Sequence, residues 1–349
     1  NYNAPLNPSS LEDINEAVRK AVKYSVKSSP NEKALIDALA LRFPKQPVSD
    51  VKPYSDAYAA AMKKAHESFP GDLQIATLYA DALMNQHPWD LWKKDGTPQT
   101  WTPAIIELLE KILAKNKKLP GAIHYYIHAT EASMEASKAL PYADLLRNAM
   151  PAAGHLVHMP SHTYIRTGEY YKGVIVNEKA SAADSTYIAQ CRAQGAVPLL
   201  YYPHNIHFLA ACAFLAGNSK KTMDAAWSIH HKVDKVYIYE MPAIQHFFSI
   251  PYFTMVHLGK WDEILNLQAP DKRLKYPTAI YHYAKGMALT AKKDLKQAKK
   301  ELEIVEELMD DKELKEKRIW EMNLLTDVVS IAFNVLKAEI AAAGNQYDV

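Results

Sequence analysis

Apolar residues recur at helical spacing along most of the chain, in runs that end at proline, glycine or polar turns. At the start of the first run, Ser10 and Asp13 stand three residues apart, a spacing typical of a capping box. Prolines divide the rest of the first third into further runs. The pattern predicts helices over residues 10–26, 30–42, 53–68, 71–86 and 102–115.

Four short turns recur later in the chain, each where one amphipathic helix ends and another begins. Their central residues are Gly168, Gly217, Gly259 and Lys293. The intervals between these residues are 49, 42 and 34 positions, and 34 is the period of the tetratricopeptide (TPR) repeat. We therefore predict an all-α protein, a TPR-like superhelical array of antiparallel helical hairpins. A globular helical bundle is the alternative.

The predicted array is one continuous solenoid with two parts. Residues 1–120 form amino-terminal helical hairpins, and residues 121–349 form the TPR-like repeats that carry most of the histidines. Gly344 stands where another hairpin turn is expected, and the second helix of that hairpin is missing. We therefore expect the chain to be a piece of a longer array.

The amino-acid composition bears on the fold class, the possible partners and the compartment. Glycine supplies only 11 residues, which favours helices over strands joined by tight turns. The 41 basic and 39 acidic residues are mixed, which argues against nucleic acid as a partner. No apolar run is long enough to span a membrane. We expect a soluble protein. Two cysteines do not indicate the redox environment, so both the bacterial cytoplasm and the periplasm stay open as its compartment.

Seven of the 14 histidines fall between residues 124 and 207. In the first group, His124, His128 and Glu131 stand at i, i+4 and i+7, a spacing that places all three on one face of a helix. Helical proteins supply metal ligands in this way. We predict that Glu131 is either a metal ligand or a catalytic base.

The second group has three histidines at i, i+3 and i+7: His155, His158 and His162. Pro160 lies among them and should kink the helix or start a new one. The third group is His204 and His207, which follow Pro203 in the first turn of a predicted helix.

Repeat alignment connects the three groups. An offset of 49, which superposes the turns at 168 and 217, aligns 155 with 204 and 158 with 207. An offset of 34 aligns 124 with 158 and 128 with 162. Histidines at equivalent positions of successive first helices would line one inner surface, where they could converge on a polynuclear metal site.

A transition metal, zinc, copper or iron, is the cofactor that imidazole-rich sites favour. The predicted ligands are His124, His128, Glu131, His155, His158, His162, His204 and His207. The histidines at 66, 87, 230, 231, 246 and 257 are interpreted as ordinary core or surface residues, and His282 is undecided. Tyrosines beside the cluster either orient a substrate or pack: Tyr125, Tyr126, Tyr164, Tyr201 and Tyr202.

Several strings of the sequence are those of a known family. They are PWDLW (88–92), GAIHYYIHATEAS (121–133), AGHLVHMPSHTYIRTGEY (153–170), YYPHNIHFL (201–209), GKWDEIL (259–265) and HYAKG (282–286). On them the chain resembles a family of bacterial TPR-repeat proteins of poorly defined function, and more distantly the eukaryotic tetratricopeptide repeat protein 38-like proteins. The resemblance implies further helices before residue 1 and after residue 349. It implies no particular reaction.

Two functions follow from these patterns. The first is a TPR-repeat metalloprotein with a multi-histidine, dinuclear site that serves as a hydrolase, by activating water, or as an oxidase, by binding copper and oxygen. The second is a non-catalytic scaffold whose concave groove binds a peptide or protein partner. Whether the chain is an enzyme stays open at this point.

Overall fold

A computed structural model describes residues 8–346 of the chain, and most of them are helical. The helices are α1 (Leu11–Tyr24), α2 (Pro30–Leu39), α3 (Lys52–Ser68), α4 (Leu73–Asn85), α5 (Thr102–Lys115), α6 (Pro120–Thr130), α7 (Leu140–Leu146), α8 (Gly154–His158), α9 (Pro160–Thr167), α10 (Tyr170–Cys191), α11 (Tyr202–Leu215), α12 (Ser219–Lys232), α13 (Pro242–His257), α14 (Trp261–Leu265), α15 (Lys275–Ala291), α16 (Leu295–Met309), α17 (Lys312–Glu316) and α18 (Leu325–Ala343). A small antiparallel hairpin pairs β1 (Arg318–Ile319) with β2 (Asn323–Leu324). The all-α class is confirmed for the described residues.

Shorter turns complete the described backbone. Four are 3₁₀ turns, and a fifth, directly before α11, is π-helical. They are Pro8–Ser10, Ser25–Lys27, Ala136–Ala139 and Tyr237–Tyr239, and the π-helical turn Val197–Tyr201.

The chain divides into two compact units. One comprises Asn1–Met150 with His162–Thr167, and the other comprises Pro151–Ser161 with Gly168–Val349. In the first unit, each helix from α2 to α6 contacts the next one along the chain. In the second, α10 to α13 do the same, and α15 contacts α13, α16 and α18. The TPR-like superhelical path and the boundary at residue 121 stay predictions.

The helices of the first third lie close to their predicted positions, but the predicted cap at Ser10 is wrong. Ser10 has helical backbone angles within the preceding 3₁₀ turn, and its side chain makes no capping hydrogen bond. A true amino-terminal cap is found at α4, where Asp72 accepts hydrogen bonds from the backbone amides of Gln74 and Ile75.

The four predicted turns share one backbone form. Their central residues all have positive φ: Gly168 (81°), Gly217 (73°), Gly259 (64°) and Lys293 (65°). After the last three, the next amide donates to a carbonyl five residues back, from Asn218 to Ala213, Lys260 to Met255 and Asp294 to Leu289. This Schellman geometry ends each helix in the left-handed conformation. The repeat turns were therefore predicted at the correct residues.

The predicted turn at Gly344 needs a correction. Gly344 has φ −90° and caps α18, whereas Asn345 has φ 60° and the amide of Gln346 donates to the carbonyl of Ala341. The left-handed residue is thus Asn345, which tolerates that conformation better than most side chains. Residues 1–7 and 347–349 lie outside the described part of the chain. The predicted absence of a second helix after Gly344 therefore stays a prediction.

Candidate metal centre

Two groups of three histidines come together in the described part of the chain. The first triad is His124, His128 and His155, and the second triad is His158, His162 and His204. Within each triad, one nitrogen from every ring lies within 4.8 Å of the others. Two nitrogens on one tetrahedral ion with 2.1 Å bonds are roughly 3.4 Å apart. Each triad is therefore grouped closely enough to be a candidate for holding a metal ion.

The first two histidines lie on α6 because of how that helix begins. Pro120 occupies its first turn, where a missing amide is tolerated, and the helix then runs without interruption to Thr130. His124 and His128 are one turn apart, and their ring centroids are separated by 4.9 Å. The shared helix face predicted from their spacing is confirmed.

Glu131 caps the carboxyl end of α6 and contacts one histidine from each triad. Its Oε1 lies 2.9 Å from Nδ1 of His128, and its Oε2 lies 2.5 Å from Nδ1 of His162. A carboxylate can only accept hydrogen bonds, so both rings donate from Nδ1. Nε2 is then the nitrogen that each ring could offer to a metal. Carboxylate–histidine–metal chains of this kind orient the ring and raise its basicity.

The charge of Glu131 is held by these contacts. Burial alone would raise the pKa of its carboxyl group, but His162 and His128 lower it by more, so the pKa lies well below its usual range. Glu131 belongs to neither triad. Glu131 was predicted to be a metal ligand or a catalytic base. Its contacts favour a different role, in which the carboxylate positions two imidazoles.

Pro160 separates the three histidines of the second sequence group. α8 ends at His158, and α9 begins at Pro160, so the proline starts a new helix. His155 and His158 lie on α8 with ring centroids 6.2 Å apart, and His162 lies on α9. Pro160 was predicted either to kink a helix or to start a new one, and the structure shows the new start.

Asn177 on α10 orients His158. Its Oδ1 accepts from Nδ1 of His158 at 2.6 Å, while its own Nδ2 donates to the carbonyl of Gly173 at 2.8 Å. The second bond fixes which end of the amide faces the ring, and therefore that Nδ1 carries the proton. Both side chains are fully buried. Nε2 is thus the nitrogen that His158 could offer to a metal.

Asp184 connects the segments that carry two other histidines. Its Oδ2 accepts from Nδ2 of Asn205 at 2.7 Å, and Asn205 follows His204 directly on α11. Its Oδ1 would lie 2.0 Å from a Cβ atom at Gly154, the residue before His155. Asp184 is only 5% exposed, and burial raises its pKa to about 6 although the Asn205 hydrogen bond opposes this.

Asn177, Ser181 and Asp184 form a polar stripe on α10 at i, i+4 and i+7. The sequence pattern alone does not single out this stripe, because polar residues on a helix usually face solvent. A signal was present: Val174, Ala180 and other small or apolar residues of α10 share this buried side. Polar groups at core spacing must be satisfied by partners, which is a reason to look for a site.

His207 lies in neither triad. On α11 its ring is 5.7 Å from that of His246 on α13, and Nδ1 of His246 lies 2.8 Å from the hydroxyl of the buried Tyr276. Burial lowers the pKa of His207 to about 4 and that of His246 to about 3. Both rings are therefore neutral near pH 7. The predicted ligand His207 pairs with a histidine that was interpreted as structural.

Other histidines have partners of their own. Nδ1 of His230 donates to the carbonyl of Phe248 at 2.7 Å, and Nδ1 of His282 lies 2.5 Å from Oε2 of the buried Glu301. His87 stacks on Trp101 with ring centroids 3.8 Å apart. These histidines belong to neither triad.

Two of the tyrosines beside the cluster are packing residues. The hydroxyl of Tyr126 donates to Glu110 at 2.9 Å, that of Tyr164 donates to Asp144 at 2.7 Å, and both rings are fully buried. Tyr201, at the end of the π-helical turn, lies 4.9 Å from the ring of His155.

The aromatic loop before α5 supports α6. The indole nitrogen of Trp92 donates to the carbonyl of Ala129 at 2.8 Å, in the turn of α6 that carries His128. A loop tryptophan thus braces the helix end beside the site.

No protein-family model matches this sequence, and a comparison with curated proteins finds no match. Among the described residues, no helix combines the length and apolar character needed to cross a membrane.

Proposed function

We propose that this chain is a TPR-repeat metalloprotein that binds two transition-metal ions, one at each histidine triad. The observation that carries the proposal is the pair of triads, each with three imidazole nitrogens within 4.8 Å of one another. The family resemblance supports the TPR part of the proposal through the motifs that contain these histidines.

A dinuclear centre is supported by contacts between rings of different triads. The centroids of His128 and His162 are 5.6 Å apart, and those of His155 and His158 are 6.2 Å apart. Two ions bound through Nε2 would therefore be neighbours. All six ligands are imidazoles, so zinc, copper and iron are the candidate metals, and calcium or magnesium is disfavoured.

Three protein ligands per ion leave a coordination position for an exogenous ligand. Structural zinc sites are usually closed by four protein ligands, whereas catalytic sites keep one position for water or substrate. We therefore infer a reactive centre, either a hydrolase that activates metal-bound water or an oxidase that binds oxygen at copper. Glu131 would position His128 and His162 in both cases.

Elemental analysis of the purified chain tests the proposal. We expect two ions per chain after reconstitution with zinc, copper or iron followed by desalting. His128→Ala breaks the first triad and His158→Ala the second, so each variant should lose one ion. His257→Ala is the matched control, since His257 stacks on Phe214 outside both triads.

A chain that takes up no metal, or a His257→Ala variant that loses as much metal as the other two, would overturn the proposal. The scaffold function would then be the remaining candidate, with a peptide or protein partner bound in the groove of the array.

A further inference from the structure

The two triads are related by the repeat alignment. An offset of 34 carries positions 124 and 128 of the first triad onto 158 and 162 of the second. An offset of 49 carries position 155 onto 204. Each triad therefore takes two histidines, four residues apart, from one repeat and a third histidine from the next.

The same offsets lead from the second triad to a third set of positions. The offset of 49 carries 158 to 207 and 162 to 211, and the offset of 42 between the turns at 217 and 259 carries 204 to 246. The residues found there are His207, Ala211 and His246. Two of the three ligand positions thus still hold histidine.

The structure brings these two histidines together. Their ring centroids are 5.7 Å apart, compared with 4.9 Å for His124 and His128 in the first triad and 4.7 Å for His158 and His204 in the second. Tyr276 holds Nδ1 of His246 at 2.8 Å, as Asn177 holds Nδ1 of His158 at 2.6 Å. In both cases a buried polar side chain leaves Nε2 as the ligand nitrogen.

We propose that His207 and His246 form a third, incomplete metal position that holds one transition-metal ion through two imidazoles. Ala211 is half-buried one turn after His207 on α11 and occupies the position of the absent third ligand. Such a position binds its ion weakly, and water or another small ligand completes the coordination. The proposal extends the proposed function by analogy but uses none of the six triad histidines.

Restoring the third ligand tests this position. Ala211→His should convert it into a complete triad and raise its affinity for Co²⁺ or Cu²⁺ by roughly tenfold or more. The matched control is Leu215→His, which adds an imidazole to an exposed position of α11 about two turns from His207. His246→Ala should abolish the gain.

The measurement is made in a background with His128→Ala and His158→Ala, so that both triads are broken. Titration with Co²⁺ alone, followed by visible absorption, counts the remaining tight ion, and circular dichroism establishes that each variant is folded. One tight ion in Ala211→His, absent from Leu215→His and from the His246→Ala combination, supports the position.

Two results would overturn it: no additional ion in folded Ala211→His, or an equal gain in Leu215→His. Both results are independent of whether the wild-type chain binds two ions, so this proposal can fail while the dinuclear centre stands.

Discussion

A single carboxylate, Glu131, contacts histidines of both triads. Its two oxygens contact Nδ1 of His128 and Nδ1 of His162, which belong to different triads. We expect Glu131→Gln to lower the affinity for both ions, by about 10- to 100-fold, since loss of such a partner typically has this effect. Calorimetric titration of the metal-free protein with Zn²⁺ measures both affinities.

Two variants serve as controls for Glu131→Gln. Glu301→Gln removes a buried carboxylate from His282, outside both triads, and should leave metal binding unchanged. Asn177→Ala removes the partner of His158 alone, so it should weaken the second triad and spare the first. Equal weakening of both ions by all three variants would show that Glu131 acts only through general stability.

Asp184 makes a separate prediction about pH. Burial raises its pKa from the usual value of about 3.8 to about 6, so the folded chain binds a proton more tightly than the unfolded chain. Stability should therefore fall as pH rises from about 4 to about 6, and stay reduced above that range. Asp184→Asn keeps an acceptor for Asn205 and removes the buried charge.

We compare the unfolding free energy of metal-free Asp184→Asn with that of wild type. The advantage of the variant should be about 2 kcal/mol larger at pH 7 than at pH 4. Urea unfolding at both pH values, in the presence of a chelator, measures the difference. A gain of the same size at both pH values would contradict a titrating Asp184.

At the residue scale, the sequence reveals ligand candidates more readily than their partners. His124, His128 and His158 are conspicuous as histidines, and six of the eight predicted ligands form the triads. Asn177 and Asp184 were missed, because an isolated polar residue on a helix is ordinarily solvent-exposed and only the packing of α10 buries these two.

At the scale of helices and turns, prediction succeeded where local chemistry decides the outcome. Glycine tolerates positive φ, so Gly217 and Gly259 mark helix ends that are visible in the sequence. Pro160 similarly marks a helix start. Gly344 was a wrong marker, since the left-handed residue is its neighbour Asn345. The local sequence does not show which of these two adjacent residues takes the positive φ.

Lys293 provides a test of the shared turn geometry. It holds φ 65° where the equivalent turns use glycine, and its side chain is exposed. A left-handed backbone costs an L-residue roughly 1–2 kcal/mol, and glycine avoids this cost. Glycine also loses more conformational entropy on folding, which offsets part of the gain. Lys293→Gly should therefore raise the unfolding free energy by about 0.5–1 kcal/mol.

Chemical denaturation measures that change. Lys292→Gly is its matched control, because Lys292, the residue that follows α15 and caps its carboxyl end, has φ −81° and gains nothing from a glycine. A loss of stability in Lys293→Gly, equal to that of the control, would mean that position 293 is not a true left-handed turn.

At the scale of the whole molecule, helical spacing groups the histidines by helix, whereas each triad combines histidines from two of these sequence groups. His124 and His128 share a helix with each other but form a triad with His155, and His204 belongs with His158 and His162. Helical spacing predicts which side chains share a face, but not which rings of different segments meet. The repeat offsets contained that information once the grouping was known.

Metal binding should accordingly stabilise the fold as a whole. A ligand that binds only the folded chain adds about 2.7 kcal/mol per site at a free concentration 100 times its Kd. We expect the melting temperature to rise on adding Zn²⁺ to the chelated protein. Differential scanning calorimetry measures the rise. The double variant His128→Ala with His158→Ala should show little rise and His257→Ala a full one. An unchanged rise in the double variant would mean that the stabilising ions bind away from the triads.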